Sequence, residues 1–392
     1  MVSKIKRFRI PERDSIIFVF FAALCLAVHG LFIFSQGFYW DDWSQIFLRI
    51  KFGDGAYWEY FLADRPTSAW TNILYARFLQ NDLRLWHIFI IILKFSTSVL
   101  CYKILQKIWP DNKLANLVIT SLYILCPIFS QLYISVAYSQ HYLNALLFLL
   151  SVFFLIRSAQ APQRLSAVLF GGLSILFMIL QLSITEYFAF LELIKLPVLF
   201  FVFRAQALSI KSAIKKSLQF FAPVLILFGV YSVYRLNYTK IFPIQEADPP
   251  KLLYDFLFDP FSALGVFIQN VILDFTYIFT DFIGELFSIN VGTLFRPFSF
   301  LSRIQISAHS ADPKPMTGYV IFAFLWIFLS LLPFWVIGDT YVKAADRPHA
   351  DRIFLASVLG VATLFFLPVQ WFVQSRSKML FAVCLLSALF YH

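Results

Sequence analysis

Runs of about twenty apolar residues recur along this chain, and that repetition is the tightest constraint on its fold. A bilayer core needs about 20 apolar residues per crossing helix. By that ruler, spans fall near 15–35, 86–106, 114–136, 141–157, 165–185, 187–204, 217–236, 317–338 and 353–373. A shorter run covers 379–391, and 260–287 is apolar but carries Asp274, Asp281 and Glu285. Apolar residues make up 60% of the 392 and charged residues 14%, against roughly 45–50% and about 25% in soluble domains. That much apolar surface does not fit inside a water-soluble core. The balance also excludes disorder, which needs the reverse. The expected fold class is all-α: one polytopic transmembrane domain over 1–392, of about eleven helices, with no separate soluble domain.

The net charge of +10 sits largely in short stretches between apolar runs, where basic residues set topology rather than bind nucleic acid. Lys4, Lys6, Arg7, Arg9 and Arg13 precede the first span, which has no small-residue cleavage site and reads as a retained signal anchor. The positive-inside rule then places the N-terminus in the cytoplasm. Lys103, Lys107, Lys113, Arg157, Arg164, Arg204, Lys211, Lys215 and Lys216 fall on that same side. The turns at 137–140 and 184–187 fall outside and hold no Lys or Arg. Counting 260–287 as a span keeps five later bases inside and three outside. Residues 36–85 become a large extracytoplasmic loop. Cys25, Cys101, Cys126 and Cys384 lie in or at the ends of apolar runs without CxxC spacing, and the six histidines are scattered, so no metal site is signalled.

That first loop carries the candidate chemistry. It holds Asp41, Asp42, Asp54, Glu59, Asp64 and Asp82 with Arg49, Lys51, Arg65, Arg77 and Arg84. Segments 43–52 and 68–79 have the apolar spacing of interfacial helices, and Trp58 and Trp70 suit an aromatic belt. Asp41 and Asp42 are bracketed by Tyr39, Trp40 and Trp43. Two adjacent carboxylates in a partly desolvated setting repel, so one of them is expected to titrate high, as a general base does. The alternative is a solvated helix N-terminus. Glu186 sits in another outer turn without a flanking base, so its partner comes from elsewhere in the fold or from a ligand. Glu192 and Lys195 are spaced to pair on one helix face, and Lys94 lies midway along the second span. Arg65, before Pro66, is the best phosphate ligand, because guanidinium matches phosphate oxygens in a fork; a pair with Asp64 competes with that role. His87, His141 and Arg235 also lie at the outer ends of spans, within reach of a sugar hydroxyl or phosphate.

A cytoplasmic N-terminus, one span, a large outer loop opening on paired acids, and a second acid at a later outer turn resemble the GT-C superfamily of integral-membrane glycosyltransferases. The nearest likeness is to protein mannosyltransferases and lipid A aminoarabinose transferases. The residues carrying it are Tyr39-Trp40-Asp41-Asp42-Trp43, Asp64-Arg65-Pro66, Leu85-Trp86-His87 and Thr185-Glu186-Tyr187. The likeness covers residues 1–240, and Asp42 stands where many relatives have Glu. It implies a bacterial inner-membrane enzyme with no cofactor and no metal. Such an enzyme moves a sugar from a polyprenyl-phosphate donor, with inversion, to a glycan, lipid or protein acceptor. It implies catalytic roles for Asp41, Asp42 and Glu186, and substrate contacts from Arg65, His87, His141, Trp43 and Arg235. The competing expectation is a transporter or flippase using Glu192, Lys195 and Lys94 as a midplane relay, although no repeated half is evident. A catalytically silent relative is the third.

Overall fold

Every regular element among the described residues is helical. The computed structural model describes residues 14–30, 33, 35–62, 65–126, 134–237, 251–287, 314–337 and 350–374. Helix α1 (Asp14–Cys25) runs into a π turn at Leu26–Gly30. Three short helices follow in the loop: α2 (Asp41–Phe52), α3 (Ala56–Leu62) and α4 (Ala69–Leu79). The bundle continues with α5 (Leu83–Ile108), α6 (Lys113–Leu125), α7 (Ser135–Gln160) and α8 (Arg164–Leu182). Two 3-10 turns, Glu186–Phe188 and Phe190–Ile194, then lead into α9 (Lys195–Ala205). Pro197 lacks the N–H that would bond back to Leu193, so the α ladder starts only at Lys195. Helices α10 (Ile210–Leu236), α11 (Lys251–Phe258), α12 (Pro260–Phe287) and α13 (Lys314–Ile337) follow. A 3-10 stretch at Ala350–Ser357 opens α14 (Val358–Gln374).

Six of these helices are long and apolar enough to cross a membrane: α5, α7, α8, α10, the Pro260–Phe279 part of α12, and Met316–Val336 in α13. Shorter apolar helices cover Asp14–Gly30, Lys113–Leu125 and Phe354–Leu367. The chain is thus a membrane protein whose regular elements, among the described residues, are all helical. The ambiguous stretch 260–287 forms a continuous helix, and its mid-helix Asp274 accepts a hydrogen bond from Trp335 Nε1 of α13 at 2.7 Å. A buried acid with a partner on the facing helix suits an apolar span. The run at 379–391 lies outside the described residues.

In lipid, helices associate through packing and polar contacts rather than through apolar burial. Helices α13 and α14 meet at Gly360, where an added Cβ would sit 2.9 Å from Ile327 Cγ1 and 3.0 Å from the Ala323 carbonyl. Only glycine permits that approach. Helices α7 and α8 are joined by small hydroxyls. Ser158 donates to the Ala167 carbonyl at 2.6 Å, and Ser151 to the Ser174 carbonyl at 2.6 Å. The starts of α5 and α7 share one end of the bundle with the loop helices, where Ile46, Tyr75, Trp86 and Val136 form a common apolar cluster. At the opposite end Lys103 pairs with Asp14.

Candidate functional site

The loop helices are fixed to the bundle through polar anchors, and the two expected acids of the first loop part company there. Trp40, the N-cap of α2, has φ 47°, a left-handed backbone that strains a bulky residue by about 1–3 kcal/mol. Successive helical residues point about 100° apart, so Asp42 turns inward while Asp41 faces out. Asp42 is fully buried. Its Oδ1 accepts the backbone N–H groups of Val136 and Ala137 at 2.9 and 2.8 Å, and its Oδ2 that of Ser135 at 3.1 Å. These are orphan donors at the start of α7, whose preceding residue, Ile134, supplies no side-chain cap. Burial pushes the Asp42 carboxyl up to about 6, against the backbone donors that draw it down. The expected high titration thus falls on Asp42, but its cause is burial rather than repulsion by Asp41. Asp41 is exposed, and its carbonyl accepts the Ser44 hydroxyl at 2.8 Å.

Glu186 finds its partners across the fold. Arg65 reaches it with Nε to Oε2 and Nη2 to Oε1, both at 3.4 Å, and Arg235 Nη2 lies 3.6 Å from Oε2. Arg65 precedes α4 and Arg235 ends α10, so two cations from distant parts of the chain converge on one carboxylate. Burial raises Glu186, but the charges of Arg65 and Arg235 overcome it and hold the carboxyl down at about 2. Arg65 also donates to the Tyr187 hydroxyl at 3.4 Å and lies over the Tyr187 ring. His141 stacks on that ring with centroids 5.0 Å apart and planes at 15°. Asp64, the competing partner for Arg65, lies outside the described residues.

The supports of this cluster are themselves polar. Trp70 Nε1 donates to Ser183 Oγ at 3.1 Å, tying α4 to the turn before Glu186; it serves as a strut there rather than only as a belt residue. Asn144 Nδ2 donates to Thr185 Oγ1 at 2.6 Å. Arg65, Glu186, Arg235 and His141 are therefore brought together, with Tyr187 between them. His87 is buried separately, its ring against the Gly37 backbone. Trp43 is 60% exposed and meets Phe38 edge-on. Deeper in the bundle Lys195 pairs with Glu192 and donates to Ser151 Oγ at 2.7 Å, all buried. Lys94 donates to the Tyr123 carbonyl at 3.2 Å and lies over that ring.

Sequence reasoning missed that Asp42 caps a helix 93 residues away and that Arg235 joins Arg65 on Glu186. Neither contact has a local signal. Among the described residues no group of three His, Cys, Asp or Glu could hold a metal ion. No protein-family model matches the chain, and no curated protein matches it.

Proposed function

We propose that this protein is a GT-C-like glycosyltransferase that moves a sugar from a polyprenyl-phosphate donor to an acceptor hydroxyl at the extracytoplasmic membrane face. The observation that carries this reading is the convergence of Arg65 and Arg235 on Glu186 at the loop end of the bundle. Two guanidinium groups held side by side by a carboxylate form a preorganised clamp for a phosphate that gains charge as it leaves. Asp41 is the better base, because the Asp42 oxygens are engaged by the start of α7. The Asp41 carboxylate takes the acceptor proton, the hydroxyl oxygen bonds to the anomeric carbon from the opposite face, and the bond to phosphate breaks. The phosphate leaves with the electron pair, and Arg65 and Arg235 neutralise the developing charge. His141 and Tyr187 form the wall beside them.

The test is the protein in liposomes with a polyprenyl-phosphate sugar and a mixture of glycan, lipid and peptide acceptors. Release of polyprenyl phosphate that disappears in Asp41→Asn is the expected result. Movement of the intact sugar-lipid across the bilayer without release would establish a flippase instead. Orientation is checked at Gly55, where an added side chain meets nothing within 4 Å. Gly55→Cys should label from outside without opening the cell.

A further inference from the structure

The seam between α7 and α8 buries polar groups that the glycosyl-transfer reading does not use. The contacts Ser158–Ala167 and Ser151–Ser174 set the two helices antiparallel. They lie seven residues apart on both helices, a rise of about 10 Å. The next step of seven reaches Asn144 on α7 and Gln181 on α8. Asn144 Nδ2 donates to Thr185 Oγ1, four residues beyond Gln181, at 2.6 Å, which fits that register. Ser174, Met178 and Gln181 are buried on α8, while Leu165, Leu169, Leu176 and Ile179 are exposed on its other side. Gln181 therefore faces α7 at the level of Asn144, just inward of the turn that carries Glu186.

These groups are buried yet incompletely bonded. Among the described residues neither Gln181 Nε2 nor Gln181 Oε1 has a hydrogen-bond partner, and Asn144 Oδ1 has none. Lys195 sits at the Ser151 level, since its Nζ donates to Ser151 Oγ at 2.7 Å. Glu192 lies on the chain between that level and Thr185. It gives one oxygen to Lys195 and leaves Oε1 without a partner. A buried amide with neither end bonded is strongly unfavourable, so the seam suits a ligand that both donates and accepts. Charge narrows the choice. Lys195 neutralises Glu192, and the remaining groups are amides and hydroxyls, so no ion is called for. Water is neutral, donates and accepts, and when buried typically bridges about two to four polar groups.

We infer that the seam between α7, α8 and the turns before α9 holds bound water, with the Gln181 amide, Asn144 Oδ1 and Glu192 Oε1 as its ligands. Asn144 also holds Thr185, so this water lies directly behind the turn that carries Glu186. The inference does not depend on the reaction proposed above.

The experiment is radiolytic hydroxyl-radical footprinting of the full chain in nanodiscs. Radiation converts bound water to hydroxyl radicals in place. Met178 is fully buried and one turn from Gln181 on the same face, and its thioether oxidises readily to the sulfoxide. Met178 should gain oxygen despite its burial, and Gln181→Leu should lose that labelling. A wild-type chain in which Met178 stays unoxidised would overturn the inference, and that arm needs no variant. So would equal oxidation in a folded Gln181→Leu, which would mean radicals entering from bulk solvent. Thermal melting adds a test of sign. Gln181→Leu should lower the melting temperature, because the water loses a ligand and Asn144 Oδ1 and Glu192 Oε1 lose the water. A rise would mean that the change removed an unpaired amide from a dry seam, and would contradict the inference.

Discussion

Asp42 and Glu186 are both acids at the loop end of one helical bundle, yet their surroundings set them to opposite tasks. Asp42 is enclosed by backbone N–H groups of α7, and burial without a cation drives its carboxyl up to about 6. Glu186 is only partly covered and faces two guanidinium groups, which hold it down at about 2. Backbone dipoles are fixed in place and cannot leave with a ligand, so the Asp42 contact is architecture: it sets the loop on the bundle. Arginine side chains can trade one oxyanion for another, so the proposed function puts the donor phosphate at the Glu186 cluster. A carboxylate's neighbours, rather than its position in a motif, decide which of these it does.

The strongest way to break the comparison is to separate the neighbours Asp41 and Asp42. Asp41→Asn should reduce sugar transfer by about 10²–10⁴, the usual cost of losing a general base, at an unchanged melting temperature. Transfer that survives this change but dies in a folded Asp42→Asn would move the chemistry onto the residue assigned here to architecture. Next in size is Arg65→Lys. It keeps the charge but loses the fork across Glu186, and transfer should drop roughly tenfold, as for one charge-assisted hydrogen bond. Equal activity would reduce Arg65 to a point charge. On stability rather than transfer, Asp42→Ala should cost about 2 kcal/mol, because buried N–H groups at the start of α7 lose their acceptor. Transfer per folded molecule should be retained.

The pH dependence is the most specific test, since the two acids should give slopes of opposite sign. Asp42 titrates higher folded than its ordinary 3.8, so its contribution is full below 3.8 and is lost as pH rises through about 6. Glu186 titrates lower folded than its ordinary 4.5, so its contribution is full above 4.5 and is lost as pH falls towards 2. Asp42→Asn should flatten the first slope in thermal melts across that range, and Glu186→Gln the second. Slopes of one sign at both positions would mean that the two environments are alike.

Much of this fold is legible in the sequence because the relevant signals are local. Apolar runs of bilayer length become α5, α7, α8, α10 and α13, and the amphipathic spacing at 43–52 and 68–79 becomes most of α2 and the whole of α4. The span through 187–204 is legible as a helix but not as two 3-10 turns followed by α9, because the change depends on where the ladder can start near Pro197. The site is legible only as its separate parts. Glu186 needs a distant partner, and the sequence shows that it has none nearby. That Arg65 and Arg235 both supply it depends on how α4 and α10 pack, over sequence separations of 121 and 49 residues. Asp42 is the hardest case, since its partners are backbone groups with no side-chain identity to read.

Direct binding of polyprenyl phosphate to the full chain in nanodiscs tests the central claim, that the arginine pair on Glu186 is the phosphate clamp. Binding should persist in Asp42→Asn and fall by about tenfold or more when Arg65→Ala and Arg235→Ala are added. Binding that is unchanged by removing both arginines but abolished by Asp42→Asn in a protein that still melts normally would contradict the account.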